Sequence, residues 1–316
     1  MKMKDMMKKR DFQSLWERYS TVVLLAVLII MFNLVGEGFW SWKSYQNIVL
    51  GNTGLIVIVI GLSFVMIGGG IDLSIGYQIS LIAVIISLLS TARFPDWVVI
   101  LGALVTGICC GLLNGVLVGF LEIVPFAATI ATQVVFRGIA FVLSNGRMVS
   151  YIAEKIRAIT RHRFLWLRID VWIVLAGVFA LWAVLRFFFM GKYLRAIGLN
   201  ESTAIRAGIK VKKVKCLSYC VAGLFYAVAA MILVSRKGYA GSEIGVGMEI
   251  TAIVAAYVGG ILNMAEKQSV ITLLLGTLVV AVIETGLTKY GMNTAIQYII
   301  TGVILIVSMT IHKKRK

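Results

Sequence analysis

The residues best placed to do chemistry lie in one stretch, Gly68-Gly69-Gly70-Ile71-Asp72-Leu73-Ser74-Ile75-Gly76, where a carboxylate and four glycines separate two long apolar runs. A charged side chain at the centre of a bilayer-spanning helix costs about 2.5–3.5 kcal/mol, so Asp72 requires a partner or a polar cavity. Two uses satisfy that requirement. The carboxylate can cap a helix that restarts after the glycines, accepting from the backbone N–H of Ser74 or Ile75. It can also line a solute path or take part in a gate. Gly69, Gly70, Asp72, Ser74 and Gly76 are therefore path or gate candidates. Asn114, Thr129 and Thr132 join them, because their amide and hydroxyl groups can hydrogen-bond a polyol or hold neighbouring helices together.

Other chemistries find no support. The two histidines, His162 and His312, have no clustered metal ligands around them, and no Ser/His/Asp constellation is visible. No G-x-x-x-x-G-K-[ST] phosphate loop occurs, so the chain is not expected to hydrolyse ATP itself, to act as an enzyme or to hold a cofactor. Cys109, Cys110, Cys216 and Cys220 form no C-x-x-C pair and read as small buried thiols.

The elements that must position Asp72 are helices in lipid. With 60% hydrophobic and 14% charged residues, a mean hydropathy of +0.94 and two prolines in 316 residues, the chain lies outside the composition of soluble domains. Continuous apolar runs near the ~20 residues a spanning helix needs point to an all-α polytopic membrane protein rather than a barrel of shorter alternating strands. Ten spans are expected, at about 21–36, 47–67, 72–91, 97–120, 126–144, 171–189, 216–235, 246–262, 270–288 and 293–311, together forming one transmembrane domain over 21–311. In the fourth, Gly102, Gly107, Gly111, Gly115 and Gly119 make a ladder that keeps one face small for close packing. Ser63 to Ile71 resembles Ile253 to Ile261 at an offset of 190 residues, which suggests an internal repeat matching spans 2–5 with 7–10.

The formal charge of +17 is gathered at the ends of these runs, which suits topology and contact with membrane lipid rather than nucleic-acid binding. Residues 1–20 form a basic amphipathic segment placed in the cytoplasm by the positive-inside tendency, and the tail 312–316 follows it there on a ten-span count. No A-x-A-like site follows Val35, so the first span is read as retained. Ten spans put 145–170, with six basic residues, outside against the charge tendency, where Arg157, Arg161 and Arg163 could receive an acidic soluble partner. They put 191–215, with seven basic residues and one acidic, inside. That loop carries a compact helix signal: Asn200 as cap, Glu201 in the first turn, Ala204, Ile205 and Ala207 as apolar positions, Arg206 at the end and Gly208 as terminator. Arg137 and Arg186 lie near span ends and can snorkel, while Glu249 and Glu284 can line a cavity or cap helices.

On GGGIDLSIG at 68–76, GLLNGVLVGFLEIVPFAATIAT at 111–132, FRG at 136–138, GKYLRAIGLNESTAIRAGIKVKKVK at 191–215 and VSRKGYAGSEIGVGMEITAIVAAYVGG at 234–260, the chain resembles the membrane permease subunits of bacterial ABC sugar importers of the ribose, galactose, xylose and arabinose type. The resemblance implies a multi-pass inner-membrane subunit with both termini cytoplasmic, importing a monosaccharide or related small polar solute. It implies three partners: a cytoplasmic ABC ATPase, an extracytoplasmic sugar-binding protein, and a second permease, either an identical copy or a relative. It maps the family's coupling helix onto about 200–208. Where that family usually continues into a glycine-rich turn, Ile261 to Ser269 is bulkier and charged, a departure that would suit altered gating or one half of a heterodimer. The alternative, an ion-coupled carrier or channel, calls for several buried ionisable groups or a filter motif, whereas one prominent aspartate is visible.

Overall fold

The computed structural model describes residues 21–34, 41–260 and 270–313. The expectations for 1–20, for the end of the first span, for the departure at 261–269 and for the last three residues of the tail lie outside them. The described chain is helical, with α1 (Thr21–Leu34), α2 (Trp42–Gly51), α3 (Thr53–Ile67), α4 (Ile75–Thr91), α5 (Asp96–Gly115) continued by a π-helical turn (Val116–Phe120), and α6 (Pro125–Ser144). A short α7 (Glu154–Ala158) and a hairpin of β1 (Arg163–Phe164) and β2 (Leu167–Arg168) precede α8 (Ile169–Phe187), α9 (Phe189–Leu199), α10 (Glu201–Arg206), α11 (Val211–Lys237), α12 (Met248–Val258), α13 (Val270–Lys289) and α14 (Thr294–Lys313).

Five of these helices are long and apolar enough to cross a membrane: α5 with its π-turn, α6, α8, α11 and α13. The expected second span is interrupted, because α2 and α3 meet at a 42° bend around Asn52, whose side chain bonds back to the Ile48 carbonyl at 2.8 Å. Four further apolar helices are shorter, among them α1, α4 and α12. Span boundaries moved where polar residues continue a helix: α11 begins at Val211, ahead of the expected 216, with its lysines on the first turns.

α11 is the central helix and packs against α3, α4 and α5. Its approach to α5 is backbone to backbone. A β-carbon on Gly107 would collide with the Gly223 carbonyl, one on Gly111 with the Tyr219 carbonyl, and one on Gly115 would lie 2.7 Å from the Cys216 carbonyl. From Gly107 to Gly119 the glycine ladder is thus the face turned to α11, while Gly102 makes room for Leu89 of α4. In lipid, where apolar burial contributes little between helices, such close packing is the main source of association.

The repeat expected from sequence has a limited structural counterpart. α3 ends at Gly68 with Gly69 left-handed at φ 79°, and α12 ends at Gly259 with Gly260 left-handed at φ 72°. These positions are one residue off the 190-residue offset, and the chain after Gly260 lies outside the described residues.

One end of the bundle carries residues 145–168 and is called here the hairpin end. It is tied to the helices by side-chain oxygens: Ser90 accepts from Ala153 N at 3.1 Å, Asp96 from Lys155 N at 3.2 Å and Ser235 from Thr160 N at 3.1 Å. Below the loop lies a charge cluster that joins elements far apart in sequence. Asp170 is fully buried and accepts from Arg168 at 2.6 Å, from Thr53 at 2.8 Å and from Arg236 at 3.3 Å, and Arg236 also donates to the Leu50 carbonyl. The α2–α3 bend, the head of α8 and the end of α11 meet on this one carboxylate. Asp170→Leu would leave Arg236 without its counter-charge, and a loss of about 3–5 kcal/mol is expected; a thermal melt of the detergent-solubilised protein should show it as a markedly lowered midpoint.

Candidate functional site

The segment Gly68–Ser74 links two helices that run in opposite directions, and its geometry follows from its glycines. Gly69 takes the left-handed backbone that ends α3 and lies against Gly198 of α9, where a side chain on Gly198 would strike the Ile67 carbonyl. Gly70 sits beneath the hydroxyl of Tyr219, which donates to the Ile71 carbonyl at 2.8 Å. Gly76 leaves room for the Glu249 carboxylate from the first turn of α12.

Asp72 is 1% exposed, and its carboxylate is met by donors. The Ser74 backbone N–H donates at 2.9 Å, the Ser74 hydroxyl at 2.6 Å and the Gln78 amide at 3.2 Å. The capping use of Asp72 read from the sequence is therefore present. Hydrogen bonds to a charged group contribute about 1.5–3 kcal/mol each, so three of them outweigh the roughly 2.5–3.5 kcal/mol cost of the charge on insertion. The network continues through the bundle: Asn114 of α5 donates to the Ser74 hydroxyl at 2.8 Å, and Thr132 of α6 donates to the Asn114 carbonyl at 2.6 Å. Asp72, Ser74, Asn114 and Thr132 thus form one buried chain across three elements. Thr129 does not join it, because its hydroxyl returns to the Pro125 carbonyl of its own helix at 2.8 Å. Gln78 was not singled out in the sequence; its place one turn after Ser74 was the available signal.

At the opposite end from the hairpin, Asn200 caps α10 by accepting from Thr203 N at 2.9 Å, and Gly208 closes it at φ 80°. Ala204 is buried with Ile197 and Val211, while Ile205 is 57% exposed, and Glu201, Arg206, Ala207 and Gly208 are also exposed. Lys215 of α11 binds Glu201 at 2.7 Å. Beside α10 opens a groove of about 600 Å³ whose lining includes Glu122, Pro125, Glu201, Ile205, Lys210 and Lys213. Across it Lys212 pairs with Glu122 at 2.6 Å and holds that carboxyl below its ordinary range. Arg157 on α7, Arg161 between α7 and β1, and Arg163 at the start of β1 are exposed at the hairpin end, remote from this groove along the fold.

A second polar cleft, of about 480 Å³, opens between α2, α13 and α14, lined by Asn47, Asn52, Glu284, Thr288, Lys289 and Gln297. Glu284 accepts there from Thr251 at 3.2 Å. No group of three or more metal-ligating side chains occurs among the described residues, and all four cysteines are unpaired thiols. Replacing Asn114 by Leu removes the side chain that bonds both Ser74 and Thr132. Ser74 keeps Asp72 and Gln78, and Thr132 keeps the Thr129 carbonyl, so the expected loss is that of the two hydrogen bonds removed, about 0.5–1.5 kcal/mol each; urea or thermal unfolding of the Asn114→Leu protein should report it, with Thr129→Val changing the same measurement far less.

Comparison with known proteins places these features in context. The family described as "Branched-chain amino acid transport system / permease component" matches residues 44–309. The ribose import permease protein of Haemophilus influenzae is 29% identical over 91% of this chain and 90% of its own length. The galactose/methyl galactoside import permease protein of Escherichia coli is 29% identical over 96% of each chain, and the L-arabinose ABC transporter permease protein of Azospirillum brasilense is 28% identical over 95% of this chain and 88% of its own. No solved structure matches.

Proposed function

The chain belongs to the branched-chain amino acid transport system / permease component family, and from that membership we propose that it is the membrane permease subunit of an ATP-binding-cassette importer for a monosaccharide or related small polar solute. The observation that carries the sugar assignment is the similarity along nine-tenths of the chain or more to import permeases named for ribose, galactose and arabinose. The permease alternates access, a separate cytoplasmic ATPase supplies the energy, and an extracytoplasmic binding protein delivers and selects the solute. A second permease copy, or a related chain, completes the path.

Ten spans suit this reading: the bent α2–α3 pair and four shorter apolar helices bring the five long ones to ten. Both termini then lie in the cytoplasm, the α10 end faces the ATPase and the hairpin end faces outward from the inner membrane. Gly69, Gly70, Asp72, Ser74, Gly76, Asn114 and Thr132 form a shaped wall of the path or its gate, with Thr129 on the same helix as Thr132. Asn200 to Gly208 dock into the ATPase, with Ile205 and Arg206 as the exposed contacts. Arg157, Arg161 and Arg163 receive the binding protein, a basic surface suited to acidic groups.

Uptake into proteoliposomes holding this subunit, its ATPase and a sugar-binding protein tests the assignment directly. ATP-dependent accumulation of the sugar is expected; accumulation that persists without ATP hydrolysis, or that occurs for branched-chain amino acids and for no sugar, would count against it. In the same vesicles Ile205→Asp should lower uptake by about tenfold, equivalent to about 1.4 kcal/mol of lost coupling, while the ATPase continues to turn over. Unchanged uptake would remove α10 from the docking role.

A further inference from the structure

The β1–β2 hairpin turns without glycine, proline or asparagine. Leu165 and Trp166 form its tip in left-handed backbone, at φ 45° and 72°, a conformation that bulky residues occupy only at a cost. The strained turn holds an apolar tip away from the protein. Phe164, Leu165 and Trp166 are 62%, 64% and 92% exposed. The hairpin is nevertheless fixed in place. The Trp172 indole donates to the Phe164 carbonyl at 2.9 Å, the Phe164 and Trp172 rings meet edge to face at 6.3 Å, and Ile169 N donates to the His162 carbonyl at 3.2 Å.

Trp172 identifies the surface to which the hairpin is fixed. α8 buries Asp170, Gly177, Leu181 and Leu185 on one face. On the opposite face, at helical spacing, it exposes Trp172, Leu175, Phe179 and Trp182. In a spanning helix that second face is the lipid face, and Trp172 stands at its head. The hairpin therefore extends the lipid-facing stripe of α8 past the end of the helix. Its stem suits the same surroundings: Arg161 and Arg163 are exposed beside the tip and carry the sign that phosphate headgroups attract, while Arg168 is paired with Asp170. Tryptophan is enriched at that interface because its ring is apolar and its N–H is polar.

We propose that the β1–β2 hairpin is a lipid anchor, with Leu165 and Trp166 seated in the headgroup layer of the phospholipid leaflet at the hairpin end, beside α8. The anchor sets the height of the basic surface above the membrane and ties the loop to the bilayer as well as to the helices. It rests on α8 spanning a bilayer and is independent of what the protein transports.

The test is photocross-linking of the full chain, with its partner proteins present, in phosphatidylethanolamine–phosphatidylglycerol nanodiscs. The photoreactive residue p-benzoylphenylalanine is placed at Trp166, where 92% exposure leaves the fold untouched, and in a second protein at exposed Arg157. The expected result is a main product at position 166 heavier by one phospholipid, at a yield at least fivefold above that at position 157. A main product at 166 joined to the binding protein or to a second copy of this chain overturns the proposal. So does a lipid yield no higher at 166 than at 157, or no lipid adduct at all. Because no step reads transport, the result stands whether or not the importer assignment does.

Discussion

α11 meets α5 backbone to backbone, and the rest of the structure is arranged around that contact. With Gly107, Gly111 and Gly115 pressed on the carbonyls of Gly223, Tyr219 and Cys216, the two helix axes come closer than side chains would allow. Closeness of this kind fixes both rotation and register. It is why the Tyr219 hydroxyl arrives at the Ile71 carbonyl and why Asn114, one residue before Gly115, points at Ser74. The polar chain around Asp72 is thus a consequence of apolar helix geometry.

Much of this was legible in the chain because it is local or periodic. The glycine ladder repeats at helical spacing, Asp72 caps a residue two positions away, and Asn200 and Gly208 bracket a helix with ordinary cap chemistry. The Asp170 cluster was not legible, since Arg236 lies 183 residues from Thr53 and nothing in either neighbourhood marks the other. The hairpin was hidden for a different reason: its tip uses Leu165 and Trp166 where turn residues are usual. The bend at Asn52 was hidden because an asparagine within an uncharged apolar run reads as a tolerated polar residue.

The two ends of the bundle are built from different interactions. At the hairpin end, a buried carboxylate and several side-chain-to-backbone bonds hold helix ends and loop together. At the α10 end, the ion pairs of Lys212 with Glu122 and Lys215 with Glu201 bridge elements around an open groove, and exposed pairs of this kind are screened by water and contribute little. Firm attachment at one end and weak, solvated contacts at the other would suit the proposed importer, in which the ATPase acts at the α10 end.

The buried chain from Thr132 to Asp72 has a direction. Thr132 gives its proton to Asn114, Asn114 gives one to Ser74, and Ser74 gives its own to the carboxylate. An ionised carboxylate accepts and never donates, so the Ser74 hydroxyl points to it, the Asn114 amide presents its N–H to Ser74, and the Asn114 oxygen is left to accept from Thr132. A single negative charge therefore aligns the dipoles of three helical elements like compass needles. α6 is held to α4 through α5 by polarity as well as by distance, and a solute hydroxyl entering this chain would meet groups whose donor and acceptor roles are already assigned.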